Sequence, residues 1–478
     1  MSIFDSFLDN LAQNIADRLN SENAAAIEKR KYYIGKQKTQ LKVPLNKTDD
    51  NIIVNLVGLA VDRSVTHVLA GGVEFDLPDL QVEGQEGVEQ TETNQQTYID
   101  DVWDVNRKSV LLLNAVINAS VFGTGFFKIK PDGIADPYTH DLYPRLIALN
   151  PEYVTIHVDP QDQERVVAYV IQYKVGDVVY RETTRRARAD DYDIAPQDIV
   201  TWIIVNEKMV EGSNRWDLID KFEFPYNFPN IVHWKNLPSL SDINGSSDID
   251  DILGMQDKSN ATVSYIQKQV RLQQHKQPWV SGVNTEKMEI GPDAMIKIQN
   301  PEAKLGILDF QTDITGSLAF EHSLRQSLFD VAREVDITSI TDKLGALTNF
   351  GLRVLYSDSL GKNDTKRMLF GEALIELNRR LLVLAGFEGE LSRPGEVVWS
   401  DPLPANKTED MQAYSEALAM GVVSKETVAG LLGYDYEKEQ ERMTAEKSTN
   451  DNGIGAALLR AFPPTGQPQP NNLEKGIK

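Results

Sequence analysis

The residue types that most often carry chemistry are spread through this sequence without a spacing that assembles a site. Cysteine is absent, which excludes disulfides and thiolate metal sites and is compatible with folding in a reducing cytoplasm. The histidines are His67, His140, His157, His233, His275 and His322. They show no HExxH or other close metal spacing, and the chain has no Walker-type phosphate-binding sequence. Each histidine is therefore interpreted as a surface or partly buried polar residue.

Three local patterns deserve separate interpretations. Gly123-Thr124-Gly125 lies between a predicted helix and a predicted strand, the reverse of the order in a dinucleotide site, so it predicts a helix end. An acidic cluster comprises Asp242, Asn244, Asp248, Asp250 and Asp251. It has the composition of a calcium loop without the EF-hand spacing, so helix capping is favoured, and a divalent cation at a subunit contact stays an alternative.

The third pattern is a basic cluster formed by Arg181, Arg185, Arg186 and Arg188. It fits a phosphate contact, but also a solvated hairpin tip or an ion-pair partner for an acidic neighbour, and the nearby Asp190 and Asp191 favour the latter. No paired-carboxylate or Ser/His/Asp arrangement emerges. The sequence therefore predicts a protein that is not an enzyme, with no catalytic residue, cofactor site or metal site.

Length and charge narrow the classes further. The 478 residues suffice for about three domains. The formal net charge of −22 argues against tight nucleic-acid binding, although not against DNA passing nearby. Asp5 and Asp9 interrupt the first apolar stretch, and no apolar run approaches the roughly 18 residues that span a bilayer, so we expect a soluble protein without a signal peptide.

Hydrophobic periodicity predicts an α+β fold. Val/Ile/Tyr-rich segments between 142 and 235 predict strands, and a short β-rich block follows within 277–312. The predicted helices are an amphipathic segment near the N-terminus, then 51–70, 98–122, 247–275, 316–335 and 347–385, with two or three small helices in 406–447. Gly351, Gly361 and Gly371 are expected to let the longest helix bend.

The helices that flank the block at 277–312 return the chain to where it left, so this block is expected to project as a stalked tip. Apolar faces in so extended a unit need neighbours, which a ring of identical subunits supplies. The polar stretch DITSITDKLGALTNFGLRV at 336–354 then interrupts two strongly helical segments.

This order resembles the portal proteins of tailed bacteriophages, in particular the siphophage type. YYIGKQ at 32–37, NLVGLAVDRSVTHVLAGGVEF at 55–75 and ASVFGTGFFKIKPDG at 119–133 are similar to sequences of that family. VVWSDPLPANKTEDMQAYSEALAMGVVSKETV at 397–428 resembles the strand, turn and small helices that end its core. The resemblance covers about residues 25–447.

The resemblance implies a portal fold and divides the chain into named parts. They are an N-terminal amphipathic helix or arm (1–24), a mixed α/β wing (25–246), a first stem helix (247–275), a small β-rich clip (276–312), a second stem helix (313–336), a tunnel loop (337–348), a long helix and return strand of the wing (349–399), an α-helical crown (400–447) and a flexible C-terminal tail (448–478).

The resemblance also implies function and partners. It implies a homo-oligomeric ring, typically of twelve subunits, at one capsid vertex of the virion, with assembly in the host cytoplasm. Double-stranded DNA would pass through the ring without sequence specificity, and the ring would meet the terminase large subunit, a head–tail adaptor, the major capsid protein and a scaffolding protein. No membrane partner is implied. Another head–tail adaptor, neck or baseplate protein is the alternative, followed by a capsid-associated enzyme.

Two sets of site residues follow from that division. The DNA-facing tunnel loop would present Thr338, Ser339, Thr341, Asp342, Lys343, Gly345 and Thr348. The clip would meet terminase or adaptor through Trp279, Asn284, Lys287, Glu289, Lys297 and Lys304.

Overall fold

A computed structural model supplies the structure of the chain. It forms two compact units that divide after Leu403, and each is described by itself. The described residues are 24–43, 48–78, 94–187, 201–209, 215–240, 243–274, 277–282, 301–308, 313–340, 349–387, 389–403, 407–432, 434 and 436–451. The predicted N-terminal arm lies outside these residues apart from residue 24, and the predicted C-terminal tail apart from residues 448–451, which are helical and therefore begin the tail later than expected. Among the described helices, none is both long enough and apolar enough to cross a membrane.

The first unit opens with helix α1 (24–33), helix α2 (Leu56–Val68) and strand β1 (Val73–Asp76). The helix predicted over 51–70 is shorter than expected, because residues 51–55 are not helical and Asn55 caps α2 by accepting a hydrogen bond from the Gly58 amide at 3.1 Å. Its predicted end is confirmed, since Gly71 and Gly72 have φ of 73° and 92°.

The single helix predicted over 98–122 is wrong. Two helices occupy this stretch, α3 (Asn94–Val105) and α4 (Lys108–Phe122), because Arg107 adopts a left-handed conformation with φ of 56°. The predicted helix end at Gly123 is confirmed, with φ of 95°. A Cβ atom at Gly123 would lie 2.4 Å from the Gly245 carbonyl oxygen, so this position needs glycine both for its φ and for close approach of another backbone segment.

The strand-rich character predicted for 142–235 is confirmed. The strands are β2 (Thr124–Ala135), β3 (Leu142–Ala148), β4 (Val154–Asp159), β5 (Asp162–Val175), β6 (Val178–Arg186), β7 (Trp202–Met209), β8 (Trp216–Phe224) and β9 (Ile231–Lys235). Strands β3, β2 and β9 form one sheet in that order, and β4 to β8 form an antiparallel five-stranded sheet in sequence order.

The basic cluster does not lie at a hairpin tip. Arg181, Arg185 and Arg186 belong to β6, the central strand of the five-stranded sheet. Arg181 pairs with Glu207 on β7 at 2.6 Å and stacks on the Trp216 ring, so its charge is satisfied within the chain. Arg188 lies outside the described residues.

The next elements along the chain are α5 (Leu253–Gln274), β10 (Gln277–Ser281), β11 (Lys304–Leu308), α6 (Thr315–Val331) and α7 (Ile337–Ile340). The very long helix predicted over 347–385 is two helices, α8 (Asn349–Leu355) and α9 (Ser357–Leu384). The break falls at Tyr356, and Gly361 and Gly371 lie inside α9, so none of the three glycines marks the break. Helix α9 packs Phe370 and Leu374 into the main core, which also holds Trp103 and Phe127.

Strand β12 (Glu396–Trp399) pairs antiparallel with β1, so a strand does lie at the place where a return strand is predicted. The second unit contains helices α10 (Lys407–Met420), α11 (Lys425–Leu431) and α12 (Tyr436–Asp451), as predicted, and Ser424 caps α11 by accepting from the Thr427 amide at 3.1 Å. Val428 is the apolar residue buried among the described residues of this unit.

Candidate functional site at the stalk and its root

The stalk is built by α5, which leads out to the antiparallel β10–β11 pair, and by α6, which leads back and packs against α5. Both helices are shorter than predicted. Residues 247–252 precede α5 and residues 332–336 follow α6, and we call these two segments together the root. Asp248, Asp250 and Asp251, for which the sequence favours helix capping, all lie before the first residue of α5.

A ladder of side-chain to backbone hydrogen bonds holds α5 against the segment 50–56, which ends at the first residue of α2. The Ile52 amide donates to the Ser264 hydroxyl at 2.9 Å, the Val54 amide to Asn260 Oδ1 at 3.0 Å, and the Leu56 amide to Gln256 Oε1 at 3.1 Å. Polar side chains four apart on α5, a rise of about 6 Å along the helix, therefore meet alternate residues of the segment.

The ladder gives the polar face of α5 its physical reason. Gln256, Asn260 and Ser264 are buried, and burial of such groups is costly unless they are hydrogen-bonded. Farther along α5, the Arg271 guanidinium donates to both carboxylate oxygens of Asp50, at 2.7 and 2.6 Å. The segment 50–56 therefore contacts α5 from Gln256 to Arg271.

The first half of the root is held by Lys366 of α9. Its ammonium donates to Asp248 Oδ2 at 2.7 Å, to the Ser120 hydroxyl at 2.7 Å and to the Ser64 hydroxyl at 3.0 Å, which uses all three of its protons. Burial would raise the pKa of the Asp248 carboxyl, but the charges of Lys366 and Lys362 outweigh it and hold the pKa below its usual range. The acid therefore stays ionised in the interior.

The second half of the root is held by Lys362, one turn earlier on α9. Its ammonium donates to Glu334 Oε1 at 2.6 Å and to the Ala332 carbonyl oxygen at 2.8 Å. The other oxygen of Glu334 accepts from the Ser359 hydroxyl at 3.1 Å, and the Glu334 side chain is fully buried. His67 Nδ1 lies 3.9 Å from Glu334, and burial lowers the pKa of that histidine.

The chain reverses within the root through a Schellman turn. The Glu334 amide donates to the Phe329 carbonyl at 2.9 Å and the Arg333 amide to the Asp330 carbonyl at 3.1 Å. The left-handed position of this turn is occupied by Arg333, with φ of 54°, where glycine is the usual residue. The turn is therefore strained, and the ion pair of Glu334 holds it in place.

The last residue of the root prepares the next helix. Arg325 donates to both oxygens of Asp336, at 2.8 and 3.1 Å, and Asp336 Oδ1 also accepts from the Thr338 hydroxyl at 2.8 Å. Burial would raise the pKa of Asp336, but these hydrogen bonds and the Arg325 charge lower it to about 2. Asp336 thus links α6 to the first turn of α7.

The predicted tunnel-loop residues fall largely outside this description. Thr341, Asp342, Lys343, Gly345 and Thr348 lie outside the described residues. Ser339 lies within α7, and Thr338 is an exposed residue of α7 whose hydroxyl bonds to Asp336. The expectation that this loop faces DNA stays a prediction.

Two of the predicted clip residues are described, Trp279 on β10 and Lys304 on β11. Trp279 is partnered in register with Gly306, and a Cβ atom on that glycine would lie 2.6 Å from the indole ring, so the ring covers the glycine. Asn284, Lys287, Glu289 and Lys297 lie outside the described residues. Their role as partner contacts stays a prediction.

The acidic cluster does not assemble as one site. Asp248 is committed to Lys366, whereas Asp250 pairs with Lys29 of α1 at 2.7 Å. Among the described residues, no group of three or more His, Asp or Glu side chains is arranged to hold a metal ion. Asp242 lies outside the described residues.

Sequence reasoning missed Lys362, Lys366 and Glu334. The sequence predicts bending at glycines of this helix and assigns its polar side chains no partners, yet Ser359, Lys362, Asn363 and Lys366 are all buried. The signal was present, because these positions continue, at helical spacing, the face that carries Phe370 and Leu374. A polar run that stays in phase with an apolar face indicates buried, paired side chains.

Comparisons with known proteins place this arrangement in a family. A search of curated proteins finds no match. A solved structure described as the virion of a native gene transfer agent particle aligns with a TM-score of 0.41 and 13% identity, over 79% of this chain and 89% of the other. We draw no conclusion about this chain from so weak a similarity. The family model described as phage portal protein, SPP1 Gp6-like, matches residues 13–453, and the chain therefore belongs to this family of phage portal proteins.

Proposed function

We propose that the chain assembles into a closed ring at one capsid vertex, where double-stranded DNA passes through it during packaging and ejection. Family membership supports a portal role in the capsid and a location in the virion. The observation that carries the finer proposal is the stalk, a helix pair rooted by buried ion pairs whose root leads directly into the polar stretch at 337–348.

In this proposal, α5 and α6 are the stem, the β10–β11 pair is the clip, and residues 337–348 are the tunnel loop. The clip is where the terminase large subunit and the head–tail adaptor dock, with Trp279, 40% exposed, and Lys304 among the contacts. Helices α10–α12 are the crown. They leave Met420 and Val422 about three-quarters exposed, and such apolar surface is expected to be covered by neighbouring copies in a ring.

The charge of the chain suits a conduit. Twelve copies at −22 each carry about −260 in total, a field that repels DNA from much of the surface. Phosphate contacts that are strong would oppose sliding. Short hydroxyl side chains and the single lysine predicted in the loop, Lys343, would touch phosphates without holding them.

Electron-microscopy class averages of the purified chain test the ring, which is expected to be closed, with a central hole of at least about 20 Å, the width of a duplex. Quantitative protein analysis of purified virions tests the location. A chain that stays monomeric at assembly-like concentrations and is absent from virions would overturn the proposal. Replacing Lys343→Glu tests the loop, since it is expected to alter DNA packaging or retention with ring assembly intact.

A further inference from the structure

We infer that Lys362 and Glu334 are positioning residues, which fix the point where the predicted tunnel loop leaves the body of the protein. The loop begins at residue 337, three residues after Glu334, and Lys362 lies on the helix that follows the loop. Their ion pair therefore joins the two ends of the chain segment that contains the loop. The part of this inference that concerns DNA rests on the proposed function.

The segment before the loop is fixed at nearly every residue. The Ala332 carbonyl accepts from Lys362, Glu334 accepts from Lys362 and Ser359, and the Val335 carbonyl accepts from Arg63 of α2 at 2.7 Å. Asp336 then accepts hydrogen bonds from two guanidinium nitrogens of Arg325 and immediately precedes α7. Helices α2, α6 and α9 thus converge on a stretch of five residues, which is more restraint than a simple connection between helices requires.

Glu334 is the member of this set that lies deepest, and its partner is equally shielded. Their side chains are 0% and 4% exposed, so solvent does not screen their attraction, and loss of either charge leaves the other buried without its partner. Because Arg333 is strained, the turn needs this restraint to keep its shape. Removing Lys362 is expected to release residues 332–340 while the core of α9 stays packed.

The molecule supplies a matched control. Lys366 lies one turn farther along the same face of α9, is 3% exposed, and pairs with Asp248, which is 4% exposed. That pair holds the other half of the root, residues 247–252. Lys362→Met and Lys366→Met thus remove comparable buried cations from one helix but release different segments.

Hydrogen exchange of the full-length protein, followed by mass spectrometry, separates the two. In Lys362→Met, amides of 332–340 are expected to exchange at least tenfold faster, with a smaller increase in 247–252, and Lys366→Met is expected to do the reverse. Unchanged exchange in 332–340, or the same increase in both segments for both variants, would overturn the inference. If Lys362→Met does not fold, Lys362→Met/Glu334→Leu removes both buried charges and carries the same expectation for 332–340.

The link between the ion pair and DNA is tested by assembling that double variant into particles, with Lys258→Met, a substitution of an exposed residue, as the control. We expect the double variant to form rings and to lower the amount of DNA retained per particle at least threefold, with no change for Lys258→Met. Retention equal to the control would overturn the link between the ion pair and the loop. Failure of the parent chain to form rings would instead contradict the proposed function and would leave the exchange experiment as the test of positioning.

Discussion

Helices α5 and α6 run from the root into the outer stalk, which we define as residues 265–274 and 315–327, and the surroundings of their side chains change along the way. At the root, Asp248 and Glu334 are buried charges with full sets of partners. In the outer stalk, Tyr265, Leu318 and Phe320 are roughly half exposed. The root is complete within one chain, whereas the outer stalk leaves apolar surface for a partner to cover.

The largest loss of stability is expected from a substitution that removes a buried ion pair of the root. Lys366→Met leaves Asp248 buried without its cation and is expected to lower the free energy of unfolding by about 3–5 kcal/mol. Denaturant unfolding of the purified chain measures it. Lys258→Met on the exposed side of α5 is the control and is expected to stay within about 0.5 kcal/mol of the parent. Equal stability of the two variants would show that the buried pair contributes nothing to the root.

A pH dependence sharpens the comparison, because it follows from Asp336 at the edge of the root. Its folded pKa of about 2 lies below the ordinary value of 3.8, so the folded state binds fewer protons than the unfolded state in this range. The stabilisation, about 2 kcal/mol, is therefore full above pH 4 and is lost as the pH falls towards 2.

The measurement is the difference in unfolding free energy between the parent chain and Asp336→Asn as a function of pH. This difference is expected to shrink between pH 4 and pH 2, because protonation removes from the parent what the substitution has already removed. A difference that stays constant over this interval would show that the Arg325–Asp336 pair does not lower the pKa of the acid.

A smaller effect concerns the strained turn of the root. Arg333→Gly is expected to stabilise the chain by about 0.5–1 kcal/mol, because glycine adopts a positive φ without steric cost. Arg333→Ala keeps the steric cost and is expected to give no gain. Thermal unfolding of the three proteins tests the expectation, and a stabilisation by alanine as large as that by glycine would contradict it.

The helices and strands of this region could be predicted from the sequence, whereas the ion pairs of the root could not. Periodicity predicted helices α5 and α6, the strands between them and helices α10–α12, because these elements depend on neighbours two to four residues apart. Asp248 and Lys366 are 118 residues apart, and the ladder joins α5 to a segment some 200 residues upstream. Such pairs form only when distant segments pack together, so local sequence patterns do not reveal them and predict a helix cap at Asp248 instead.

The smallest expected effect on the single chain tests the outer stalk itself. Phe320 and Phe329 lie on the same helix, 59% and 1% exposed. Phe329→Ala is expected to destabilise the chain by about 3–5 kcal/mol, and Phe320→Ala by less than about 0.5 kcal/mol. In the proposed ring, Phe320→Ala is expected to matter more than in the single chain, because neighbouring copies would cover Phe320. Sedimentation analysis is therefore expected to show rings of Phe320→Ala that dissociate at higher protein concentration than the parent rings. Rings of unchanged stability would mean that the apolar surface at Phe320 is not a contact between copies and serves another partner.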